Sequence, residues 1–65
     1  MKKIETNDWI IIQSFGAPVR FADGTIVIYG SESEAQEDAL YNDIVIQAIS
    51  APADIKSEIT DQINA

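Results

Sequence analysis

Trp9-Ile10-Ile11-Ile12-Gln13-Ser14-Phe15-Gly16-Ala17-Pro18-Val19-Arg20-Phe21-Ala22-Asp23-Gly24-Thr25-Ile26-Val27-Ile28-Tyr29 is the stretch whose reading decides the fold. Side chains along a strand alternate between faces, so 9–15 places Trp9, Ile11, Gln13 and Phe15 on one side and Ile10, Ile12 and Ser14 on the other. Gly16-Ala17-Pro18 breaks that strand. A short strand, 19–22, follows. Asp23-Gly24 is then the strongest hairpin signal in the chain, because a type I′ turn needs positive φ at both central residues. That turn sets Ala22 opposite Thr25 and starts a longer strand, 25–29.

Working outward, Gly30 ends the hairpin and Ser31-Glu32-Ser33-Glu34 matches a capping box, with Ser31 accepting from the Glu34 N–H and Glu34 reaching back. Ser33 with Gln36 offers a second start two residues on. Ala35, Ala39 and Leu40 form a narrow apolar face, and Tyr41-Asn42 is the expected end of this helix. Residues 43–49 read as the next strand, with Ile44, Ile46 and Ala48 facing one way and Val45 and Ile49 the other. Ser50-Ala51-Pro52 opens a second helix, Pro52 lying near the first helical position. Ile55, Ile59 and Ile63 recur every four residues on that helix and share one face. The expectation is an α+β domain, a small and mostly antiparallel sheet in the order β-β-β-α-β-α with two helices. Residues 1–65 form one domain, of which 1–7 are expected to be loose.

Composition supports a sheet. Of 65 residues, 12 are Ile, three are Val and one is Leu, and branching at Cβ suits a pleated surface better than a helix. A chain of this size buries only about 60 % of its unfolded surface, so it needs a dense core or a partner subunit. With no Cys and no His, the chain has no disulfide, thiolate or imidazole chemistry. The longest apolar run, Trp9 to Ile12, is too short to cross a bilayer. Cytoplasmic residence, no membrane association and no cofactor are the matching expectations.

Eleven acidic residues against four basic ones give a net charge of −7. Direct nucleic-acid binding, which needs clustered Lys and Arg, is disfavoured. The carboxylates sit at capping and helix-surface positions, no Ser has a His or a Ser-x-x-Lys partner, and no calcium loop or phosphate-cradling glycine run is present. The chain is therefore not expected to be an enzyme. Arg20 reads as a surface ion-pairing residue beside the Asp-Gly turn, or else as a partner anchor. The charge is unevenly placed. Residues 21–55 hold seven acids and no base, five of the acids lying between Glu32 and Asp43. Such a run serves solubility, or it forms a negative face that steers onto a basic surface. On the second reading Glu32, Glu34, Glu37, Asp38 and Asp43 are the contact residues and Tyr41 an aromatic anchor.

The run from Gly16 to Tyr29, followed by the Ser-x-x-Glu-Ala helix start at Ser31 to Ala35, resembles short orphan proteins of bacteriophages and other mobile elements. In size and acidity the chain is also similar to phage-encoded inhibitors of host defence of the anti-CRISPR type, some of which imitate nucleic acid. The resemblance implies an inhibitor or adaptor docking its acidic face on a basic, nucleic-acid-handling host protein. The alternative is an assembly accessory protein acting through an Ile-rich oligomer interface. A homodimer is expected, because all three long strands are apolar on both faces. The Ile55/Ile59/Ile63 stripe would cover one face in cis or across a two-fold axis.

Overall fold

β1 (Trp9–Ile12) and β2 (Ile44–Gln47) are the regular strands of the computed structural model, which describes all 65 residues. They pair antiparallel, with Trp9 opposite Gln47, Ile10 opposite Ile46, Ile11 opposite Val45 and Ile12 opposite Ile44. Between them in sequence lies α1 (Glu32–Asp38), and a 3₁₀ turn at Ala48–Ser50 leads from β2 to α2 (Ala53–Ile63). The domain is α+β, but the expected β-β-β-α-β-α order is reduced to β-α-β-α. Segments 19–22 and 25–29 are held only by isolated bridges between Ile12 and Pro18, Arg20 and Ile26, and Trp9 and Tyr29.

The reduction has a physical cause in two tight loops of the same build. The Gln13 N–H donates to the Ala17 carbonyl and the Gly16 N–H to the Gln13 carbonyl, both at 2.8 Å. Eight residues later, the Phe21 N–H donates to the Thr25 carbonyl at 2.8 Å and the Gly24 N–H to the Phe21 carbonyl at 3.0 Å. Each loop holds three residues and closes on a left-handed glycine, Gly16 at φ +95° and Gly24 at +92°, where a side chain would be strained. No other residue has positive φ, so Asp23 does not adopt the expected type I′ geometry. It accepts instead from the Thr25 N–H at 3.0 Å and the Thr25 hydroxyl at 2.7 Å. Phe21, not Ala22, therefore faces Thr25. That one-residue slip exchanges the two faces of the hairpin and sets Arg20, rather than Phe21, opposite Ile26.

The loop at Ser14–Gly16 also ends β1 at Ile12 and puts Phe15 on an exposed tip. Beyond it, pairing partners change within one or two residues. Val19 donates its N–H to Ile11 and accepts from Val27 on its carbonyl, while Trp9 and Tyr29 exchange both backbone bonds at 2.9 and 2.7 Å. The ribbon thus coils back onto its own first strand, and no stretch of it is long enough for a ladder.

Ile10 and Ile11 are neighbours on a strand and so point to opposite faces, yet they are 0 % and 1 % exposed. Ile10 joins Ile26, Ala48, Ala51, Ile55 and Ile59 in the main core, with Ile4, Ile12, Ile28, Ile46 and Ile63 packed around it. Ile11 lies outside that cluster, on the side where α1, through its buried Ala35, packs against both strands. One helix covers each face. The Ile55/Ile59/Ile63 stripe, expected to cover a sheet face in cis or across a two-fold axis as an oligomer interface, covers it in cis: Ile55 and Ile59 are buried within the chain and Ile63 is half-buried. Each such side chain contributes about 1.5–3 kcal/mol when fully buried, and a chain of this size has few others to use.

Segment 1–7, expected to be loose, has no regular structure and meets the rest of the chain through side-chain amides. The Lys2 N–H donates to Asn64 Oδ1 at 2.8 Å and Asn64 Nδ2 donates to the Lys2 carbonyl at 2.9 Å. Gln47 Nε2 donates to the Thr6 carbonyl at 2.8 Å. A third amide, Gln62 on α2, brackets Ile26: its Oε1 accepts from the Ile26 N–H and its Nε2 donates to the Ile26 carbonyl, both at 2.8 Å. Gln62 thereby occupies the place of a neighbouring strand and satisfies a backbone that a buried side chain has drawn away from water.

Candidate functional surface

α1 starts where the sequence predicts. Ser31, extended at φ −157°, accepts from the Glu34 N–H at 3.2 Å; the return bond of the capping box does not form. Its end comes three residues early. The Ala39 N–H is shared between the Ala35 and Gln36 carbonyls and the backbone then turns extended. The cause is Asp43, whose Oδ2 takes the Leu40 N–H at 2.9 Å while its own N–H donates to the Leu40 carbonyl at 3.0 Å. A Leu40 N–H held by a side chain cannot continue the helix.

Clamping residues 40–43 turns the expected apolar face inside out. Ala35 is buried and Ala39 half-buried, but Leu40 is 73 % exposed, Tyr41 98 % and Ile44 60 %. Two large side chains on this short turn, Leu40 and Tyr41, stand in water directly after the acidic helix, and Ile44 is exposed at the start of β2. Of these, Tyr41 was the anchor expected from sequence. Leu40 is expected inward and is not, whereas Ile44 lies on a strand as expected. The signal that separates them is Asp43, three residues after Leu40 and able to clamp it.

The predicted acidic residues divide into two groups. Glu32, Glu34 and Glu37 are exposed, and their carboxylates accept no hydrogen bond and pair with no cation. Asp38 and Asp43 are engaged within the chain. Asp43 closes the 40–43 turn, and Asp38 Oδ2 accepts from the Tyr29 hydroxyl at 2.8 Å. The Tyr29 phenol is pushed up to about 12, first by burial and then by the Asp38 carboxylate, both of which disfavour a phenolate.

Arg20 is spoken for. It forms a bidentate pair with Glu58 on α2, one arm at 3.0 Å, and donates to the Gly24 carbonyl at 2.8 Å. The guanidinium lowers the Glu58 carboxyl below its usual range. This is the only ion pair in the chain. An open cleft of about 430 Å³ lies beside it, lined by Asp23, Thr25, Glu58, Asp61 and Gln62 among others. Asp23 is committed to Thr25, Glu58 to Arg20 and Gln62 to Ile26, so most of the cleft's polar groups are internal struts. No three acidic side chains are grouped so as to hold a metal ion, and no helix is long and apolar enough to cross a membrane. Comparison with known protein families, with curated proteins and with solved structures returns no match to the chain.

Proposed function

We propose that the chain acts by binding a protein, and that the docking surface is the outward side of α1 together with the 40–43 turn. The observation that supports this is the junction of two features. Glu32, Glu34 and Glu37 carry charge that no side chain in the molecule neutralises, and Leu40 and Tyr41 expose apolar area on the turn that directly follows them. Repulsion between Glu34 and Glu37, one turn apart, costs α1 a few tenths of a kcal/mol. A basic partner would relieve it, while the aromatic and aliphatic side chains would bury in a pocket at the centre of the contact.

The partner's chemistry follows from the charge. A basic protein that handles nucleic acid presents Lys and Arg where phosphates normally sit, and carboxylates on α1 would compete for the same cations. The chain is then an inhibitor or adaptor of the phage or mobile-element kind, working from the cytoplasm without catalysis. The alternative, an assembly protein acting through an Ile-rich surface, has less to draw on, because Ile55 and Ile59 are buried within the chain.

Salt discriminates the two. The immobilised chain should capture its partner from bacterial lysate at about 50 mM salt and release it by about 500 mM, where screening shortens the reach of charge to a few ångström. A partner retained through the high-salt wash would point to an apolar interface and overturn the acidic-face reading.

A further inference from the structure

The bridges that coil the ribbon also determine which backbone groups of the sheet are left over. On β1, Trp9 and Ile11 direct their hydrogen bonds to Tyr29 and Val19. The alternate residues, Ile10 and Ile12, therefore serve β2 and take Ile46 and Ile44. It follows that Val45 turns its N–H and C=O, and Gln47 its N–H, away from β1, while the Gln47 carbonyl opens the 3₁₀ turn at Ala48–Ser50; no backbone or side chain elsewhere in the chain meets the first three groups. Neither Lys nor Pro, the usual guards of a free edge, occurs on β2, and residues 44–53 carry no Lys, Arg, Asp or Glu.

We infer that this outer edge of β2 receives an extended basic segment of the partner as a third strand, an inference that rests on the binding function proposed above. Charge selects the occupant. The edge is flanked in sequence by Asp43 and Asp54, within a stretch that has no base from residue 21 to residue 55. A second copy of the chain would bring the same acids and a further −7 against it, whereas a basic strand complements them. The two faces of an added strand then meet different surroundings, because its side chains alternate. On the face covered by α1, Lys or Arg would extend toward the helix and its unpaired glutamates. On the opposite face, Val or Ile would lie beside the exposed Ile44. The recognised segment is therefore one in which basic and β-branched residues alternate.

An eight-residue peptide alternating Lys and Val is a direct probe, with its Glu/Val counterpart as control, and amide hydrogen exchange of the intact chain followed by NMR is the readout. With the Lys/Val peptide at low salt, the Val45 and Gln47 amides should exchange at least about tenfold more slowly, and the Glu/Val peptide should leave them unchanged. Shifts on α1 with no slowing at Val45 and Gln47 would overturn strand addition while leaving the acidic-face reading intact. No response anywhere would overturn both. Slow exchange at the two amides without peptide, growing with protein concentration, would make a second copy the occupant and also overturn the proposal.

Discussion

The two helices use their side chains in opposite ways. α2 commits nearly every informative residue to its own chain: Ile55 and Ile59 to the core, Glu58 to Arg20, Gln62 to the Ile26 backbone, with Asn64 just beyond its end holding Lys2. α1 commits Ala35 to the sheet and Asp38 to Tyr29, and leaves Glu32, Glu34 and Glu37 facing water without partners. Both helices are short, but α1 has a single apolar residue, Ala35, where α2 carries the Ile55/Ile59/Ile63 stripe. A helix whose apolar stripe is buried and whose Glu58 and Gln62 are engaged holds a fold together. One whose charges are unanswered is available to something else, at some cost to its own stability. On the proposed function, stability and recognition are carried by different halves of a very small molecule.

Substitutions that test this division should rank accordingly. Ile59→Ala, removing a fully buried side chain from the α2 stripe, should cost about 3 kcal/mol in denaturant unfolding. In a chain this small that is enough to abolish a cooperative transition. Gln62→Ala strips both partners from the part-buried Ile26 peptide groups and should cost about 2 kcal/mol by the same measurement. A loss below about 0.5 kcal/mol would mean that water replaces the amide freely and that α2 is held by apolar packing alone.

Tyr29→Phe is the smaller, α1-side counterpart, since it removes one partly solvated hydrogen bond and should cost about 0.5–1 kcal/mol. Its pH signature is more telling. Folding holds the Tyr29 phenol at about 12, above the ordinary tyrosine value of about 10. The folded state therefore favours the protonated phenol, and that contribution is complete below about pH 10 and fades as pH rises toward 12. Thermal melts across that window should show a steeper alkaline loss for the natural chain than for Tyr29→Phe.

How much of this was legible beforehand depended on whether the deciding interaction was local. The Ser31 cap and the period-four Ile stripe are local patterns, and both appear where the sequence puts them. The Asp23-Gly24 turn was located but mis-registered, because one left-handed residue suffices for a three-residue loop, and Asp23 is better used accepting from Thr25. The Gln13–Ala17 loop was hidden by Phe15, which continues the apolar alternation and so resembles strand. Gln62 and Asn64 were invisible: a side-chain amide gives no sequence hint that it will bracket a peptide 36 or 62 residues away. On the candidate surface, the acidic positions were readable as a run of charge. Which of them remain free was not, since that turns on Tyr29 reaching Asp38 and on Asp43 clamping Leu40.

The smallest expected effect on stability belongs to Glu34→Lys with Glu37→Lys, which moves the net charge from −7 to −3 at positions whose carboxylates accept no hydrogen bond and pair with no cation. This pair is also the most direct test of the division between the helices, measured as partner capture at about 50 mM salt alongside a thermal melt. The account predicts a cooperative melt within about 0.5 kcal/mol of the natural chain together with loss of the captured partner. Undiminished capture by the charge-reversed chain would contradict it, and would make the acidic run of α1 a solubility feature.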